Sequence, residues 1–116
     1  MDTKNILRED SINFAITVSD ISEKIQGCSV YKNQLVRSSS SIGANIHEAK
    51  YAQSRADFIN KLEIALKEAA ETEYWLELLY RNKKLSETQY KETKSLVGSI
   101  RRRLIASITT AKANSK

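Results

Sequence analysis

The chain contains no proline and three glycines in 116 residues. Tight turns draw on those two residue types, so an all-β domain with many hairpins is a poor fit. What remains is a chain of few, long elements. Hydrophobic periodicity then divides it into four segments. The single cysteine, Cys28, excludes an internal disulfide framework. No apolar run approaches the roughly 20 residues of a membrane span, and the first ten residues lack a signal-peptide core. A cytoplasmic, non-membrane protein of one domain over residues 1–116 is the expectation.

The first segment is expected over about 11–26, with Asp10 or Ser11 as cap. Ile12, Ala15, Ile16, Ile21 and Ile25 form its stripe, and Phe14 and Val18 broaden it. Gly27 can adopt the left-handed conformation that ends a helix. The second segment, about 29–53, carries Leu35, Ser38 or Ser39, Ile42, Ile46 and Ala49 on one seam. Four serines, Ser38 to Ser41, and Gly43 give it a thin waist that admits a neighbouring helix. The third, about 55–81, begins at a capping Ser54 and runs through Phe58, Leu62, Ala65, Leu66, Ala69, Leu76 and Leu79. Ala65, Ala69 and Ala70 are expected beside the serine waist. The fourth, about 87–111, opens on Ser86-Glu87-Thr88-Gln89, a capping box. The last five residues, Lys112 to Lys116, are expected to fray. Short connections between such helices give an up-down-up-down antiparallel four-helix bundle.

Little in the sequence points to catalysis. One histidine, His47, and one cysteine are too few for a zinc site. His47 and Glu48 offer half of a two-metal carboxylate motif, which needs two Glu-x-x-His pairs. The serine run lacks a GxSxG elbow, and no glycine-rich phosphate loop is present. Glu73 and Glu77 share a face, but pairing with Lys67, Arg81 or a neighbouring helix is the ordinary role of such residues. A non-enzymatic protein without metal or cofactor is expected.

Charge is more informative. Residues 78–116 hold ten basic and two acidic side chains, a balance of +8, whereas residues 1–77 hold nine basic and twelve acidic, or −3; together they make the +5 of the chain. Lys91, Lys94, Arg101, Arg102 and Arg103 lie on the fourth helix and are the candidate phosphate-binding residues. Arg101 to Arg103 fan around that helix at about 100° per residue, so at least one leans toward neighbouring helices. Ion pairing with the acidic third helix of the same or another chain is the alternative. Tyr74, Trp75 and Leu78 widen the apolar band of the third helix beyond one core's need. They are candidates for a self-association surface, or else for a broad internal core.

Two stretches carry a family resemblance. Gln34-Leu35-Val36-Arg37-Ser38-Ser39-Ser40-Ser41-Ile42-Gly43-Ala44-Asn45-Ile46-His47-Glu48-Ala49 and Asp57 through Leu76 (DFINKLEIALKEAAETEYWL) resemble the four-helix-bundle proteins encoded in 23S rRNA intervening sequences. That family is related to the accessory variability-determinant proteins of diversity-generating retroelements. The resemblance implies a homo-oligomer, a pentamer in those relatives, with nucleic acid (RNA or DNA) and a reverse transcriptase or other protein as partners. The family often carries proline where Gly43 stands and glycine where Ala49 stands; both replacements stay small. Asn45, Glu48 and Glu71 match its recurrent polar positions and are expected to hydrogen bond between helices.

Overall fold

The computed structural model describes residues 3–114. Four helices follow one another: α1, Thr3–Glu23; α2, Ser29–Ala49; α3, Arg55–Arg81; and α4, Glu87–Ala113. α2 packs on α1 and α3, and α4 packs on α3 and α1, while among the described residues the backbones of the diagonal pairs do not come close. Cross-helix contacts establish antiparallel pairing. Tyr31 meets Trp75, Ser38 meets Thr72, and Glu48 meets Lys61, so α2 numbers rise as α3 numbers fall. Tyr80 on Tyr90, Glu73 on Arg101 and Glu63 on Lys112 do the same for α3 and α4. The expected four-helix bundle is therefore the fold.

Two helix starts follow from capping chemistry. Ser54 Oγ accepts from the Asp57 amide at 3.1 Å, and Asp57 places negative charge in the first turn of α3. At α4, Ser86 Oγ accepts from the Gln89 amide at 3.0 Å while Gln89 Oε1 accepts from the Ser86 amide at 2.9 Å. Both free amides are satisfied reciprocally. The stop of α3 is a Schellman motif: Lys84 N–H reaches Leu79 O and Lys83 N–H reaches Tyr80 O, with Lys83 at φ 62°. Lysine stands there in place of the usual glycine.

α1 corrects the sequence reading. It begins at Thr3, eight residues before the expected start, and Asp10 and Ser11 lie inside it instead of capping it. Ser11 is fully buried, and its hydroxyl donates to Arg8 O at 2.8 Å. The buried face is Leu7, Ser11, Phe14, Val18 and Ser22, continued by Ile25 in the connection that follows. Ile12 and Ile16, expected in the seam, are 37% and 54% exposed. Two serines in the true seam disguise it, and two isoleucines on the outer face imitate it. α1 stops at Glu23; Gly27 does take a left-handed conformation, φ 74°, but in the connection, where Cys28 follows at φ 54°.

α2 ends at Ala49, four residues before the expected boundary. Its waist serves two neighbours. A Cβ at Gly43 would stand 3.1 Å from Ser11 Oγ, so the glycine seats α1. Toward α3, buried Ser38 and Thr72 hydrogen bond through their hydroxyls at 2.9 Å. Thr72, not an alanine, makes that contact. Ala65 and Ala69 are buried, but Ala70 is exposed. α4 runs through Lys112 to Ala113, with Asn114 as its C-cap, where fraying was expected from Lys112 onward. The remainder of that stretch, residues 115–116, lies outside the described residues.

The core joins Phe14, Leu35, Ile42, Leu76, Leu79, Ile100 and Leu104 along the bundle axis. Among the described residues, Ser22 Oγ alone is a buried side-chain polar atom without a hydrogen-bond partner. An unsatisfied buried hydroxyl costs about 1–3 kcal/mol, and alanine is also the better helix former. Ser22→Ala is therefore expected to stabilise the fold by about 1 kcal/mol. A chemical-denaturation midpoint that falls would contradict it.

Candidate nucleic-acid interface

The five candidate cations share α4 but not one environment. On a helical wheel, Lys91, Lys94, Arg101 and Arg102 fall within a sector of about 100°, and Arg103 lies outside it. Lys91 Nζ pairs with Glu87 one turn earlier at 2.8 Å. That bond holds the Glu87 carboxyl below the usual range and the Lys91 ammonium above it. Lys94 Nζ stands 5.5 Å from the centroid of the Tyr90 ring, a cation–π contact. Tyr90 is itself stacked on Tyr80 of α3 at 4.3 Å, so this platform is anchored to two helices.

The three arginines diverge as their spacing requires. Arg101 turns to α3, where its Nε donates to Glu73 Oε1 at 2.9 Å, and both side chains are half-buried. Arg103 turns to α1, with Nε 4.0 Å from Asp10 Oδ2. Arg102 is exposed and has no partner among the described residues. Farther along α4, Lys112 meets Glu63 at 3.5 Å. Much of the +8 is thus answered by the chain's own carboxylates. Among the described residues of this stretch, the cations without a carboxylate partner are Lys94 and Arg102 on α4, joined by Lys83 and Lys84 in the turn before it, all four exposed.

The polar positions also separate. Glu71 lies between α2 and α3: Arg37 Nη2 donates to its Oε1 at 2.6 Å, Arg37 Nη1 donates to Glu68 at 2.9 Å, and Trp75 Nε1 reaches Glu71 at 3.3 Å. Glu48 faces Lys61 across the same pair of helices at 3.9 Å. Asn45 is a correction, because its amide donates to Ser41 O of its own helix at 2.8 Å. The polar contacts between α2 and α3 run through Ser38 with Thr72, Arg37 with Glu68 and Glu71, and Glu48 with Lys61. Arg37 was missed by sequence reasoning, although a lone cation beside four serines was the available signal.

The Arg37 hydrogen bond holds the Glu71 carboxyl below its ordinary value. A lowered carboxylate stabilises the fold above its unfolded pKa of about 4.3, and this contribution is lost as pH falls through the lowered folded value. Arg37→Gln is expected to move the Glu71 titration upward, read by carbon-13 NMR of the carboxyl. An unmoved midpoint would count against the assignment.

The association candidates sit around the other edge of α3. Tyr74 is 60% exposed, and Trp75 and Leu78 are half-buried. Trp75 packs against the core, with Tyr31 stacked at 6.0 Å and Tyr74 edge-on at 5.0 Å. Tyr31, Tyr74, Leu78, Glu77, Arg81 and Asn82 line an open groove of about 520 Å³. Among the described residues no three His, Cys, Asp or Glu side chains converge to hold a metal ion. Among the described residues no helix is long and apolar enough to cross a membrane. Cys28 Sγ accepts from Asn82 Nδ2 at 3.2 Å and ties the two connections together.

Against known proteins, the family model of the 23S rRNA-intervening sequence protein matches residues 3–106. The chain belongs to that family. The intervening-sequence family match takes in the waist of α2, the aromatic part of α3 and all five α4 candidates. A solved structure from Bacteroides thetaiotaomicron, a protein of unknown function from the S23 ribosomal protein family, is 44% identical. The similarity covers 93% of this chain and 99% of that one, with a TM-score of 0.89. No curated protein matches the chain.

Proposed function

We propose that this intervening-sequence family member is a non-enzymatic, cytoplasmic homo-oligomer that binds RNA or DNA through α4, without reading sequence. The observation that carries the proposal is the outward set Lys94 and Arg102, continued by Lys83 and Lys84 in the preceding turn. These side chains can neutralise phosphates along a backbone, a contact that carries no base readout. Tyr74 and Leu78 around their open groove support self-association, with a pentamer as the resemblance implies. A ring of copies would repeat the basic face and raise its avidity.

The test is a salt titration with a generic RNA and a generic DNA duplex. With about four phosphates neutralised per copy, affinity falls on the order of 100-fold between 50 and 200 mM salt. Salt-independent or undetectable binding defeats the reading. Light scattering checks the assembly: a mass near five times 13.1 kDa is expected, and one near 13.1 kDa defeats the oligomer.

A second reading draws on the engagement of Arg101 by Glu73 and of Arg103 by Asp10. Such pairing suits a protein–protein adaptor, with a reverse transcriptase or another protein as partner, whose basic helix serves assembly. Capture of one protein partner that survives nuclease treatment favours the adaptor.

A further inference from the structure

A cavity of about 640 Å³ opens at the end of the bundle where α1 and α3 begin and α2 and α4 end. Its volume falls within the range of about 300–1,000 Å³ that small-ligand sites occupy, and the space between bundle helices is a common place for them. All four helices contribute to its wall. The floor is apolar, built from Leu7, Ile46, Leu62 and Ala111, each at most 8% exposed.

The mouth has the opposite chemistry. Arg8, Lys50 and Arg55 stand on it, and among the described residues no carboxylate lines the cavity. Lys50 and Arg55 are exposed, and neither has an acidic partner among the described residues. Two helices start and two end here, so their dipoles oppose one another and the side-chain charge sets the sign of the field. An apolar floor beneath a cationic mouth selects an amphiphile with one anionic head. Arg8 already meets Glu9 at 3.3 Å, so Lys50 and Arg55 are the mouth cations without a carboxylate among the described residues, in contrast to Arg37, Arg101 and Arg103.

We propose that this cavity binds a single-tailed carboxylate amphiphile of the medium-chain fatty-acid class. The tail lies on the Leu7, Ile46 and Leu62 floor, and the carboxylate lies among Arg8, Lys50 and Arg55. The site is separate from the α4 face and does not depend on nucleic-acid binding.

Isothermal titration calorimetry on the full chain tests it, with hexanoate, octanoate, decanoate, decanol and decyltrimethylammonium as probes, each below its micelle concentration. Each added methylene from hexanoate to decanoate should tighten binding about fourfold, the value of burying one CH₂. Decanoate should bind at least about tenfold more tightly than decanol, as charge-assisted hydrogen bonds require, and the cationic probe should not bind. The paired substitution Lys50→Gln and Arg55→Gln, at two exposed positions, should remove that preference and leave decanol binding and the thermal melt unchanged. A single substitution, Ala106→Phe at an exposed lining position, should weaken decanoate and decanol together. Equal affinity for decanoate and decanol overturns the proposal. So does decanoate affinity that survives the paired substitution, or the absence of binding by every probe.

Discussion

Phe14→Ala is expected to lower the unfolding free energy by about 3–5 kcal/mol, and Ile16→Ala, half a turn away, by no more than about 0.5 kcal/mol. Phe14 is 1% exposed at the centre of the α1 face, whereas Ile16 is 54% exposed. Removing the ring deletes apolar packing and leaves a cavity between α1 and its neighbours, and close-packed surroundings collapse into such a space only in part. Domains of this size carry about 5–15 kcal/mol in all, so the Phe14 variant should be near the edge of folding. Urea unfolding followed by circular dichroism measures both. Equal losses at the two positions, or a larger loss at Ile16, would mean that α1 presents its isoleucine face to the core.

The second large effect concerns binding. Charge reversal at the two outward α4 cations, Lys94→Glu with Arg102→Glu, is expected to weaken RNA or DNA affinity on the order of tenfold to 100-fold at low salt. It should also reduce the slope of log affinity against log salt by about two, one for each phosphate no longer neutralised. Both side chains are exposed, and Lys94 gives up only its contact with the Tyr90 ring, so the thermal melt should shift little. Neutralising the two engaged arginines, Arg101→Gln with Arg103→Gln, has a different signature. It breaks links from α4 to Glu73 and Asp10 and should lower the melting temperature, with a smaller change in salt slope. Fluorescence anisotropy at several salt concentrations, run beside thermal melts, separates the two. If both pairs change the slope equally, the engaged arginines also reach phosphate; if neither does, the basic face lies elsewhere.

The contrast among these arginines shows what sequence can and cannot convey here. Capping chemistry is local, so Ser54 and the Ser86–Gln89 box were legible from a few residues. The α2 seam was legible too, because Leu35, Ile42, Ile46 and Ala49 are apolar at regular spacing and all are buried. α1 was not, because periodicity weighs apolarity and its true seam includes Ser11 and Ser22. Ser11 belongs there only because Gly43 of another helix leaves room for it. The expected role of Asn45 failed for a related reason: an amide in a helix can satisfy itself on its own backbone. The basic stretch was legible as charge, but the carboxylates that answer Arg101, Arg103 and Lys112 come from α1 and α3, far away in sequence. Composition counts both signs and says nothing about which are adjacent.

The Glu73–Arg101 and Asp10–Arg103 pairs have a further consequence. They make the chain's own carboxylates resident competitors for any anion that approaches α4. A polyanion must evict Glu73 or Asp10 before it can recruit those guanidiniums, whereas Lys94 and Arg102 are open at once. Such built-in competition sets a threshold. Isolated anions would meet two outward charges, and only a dense, continuous array of them would also draw in Arg101, while Arg103, on the far side of α4, stays with Asp10.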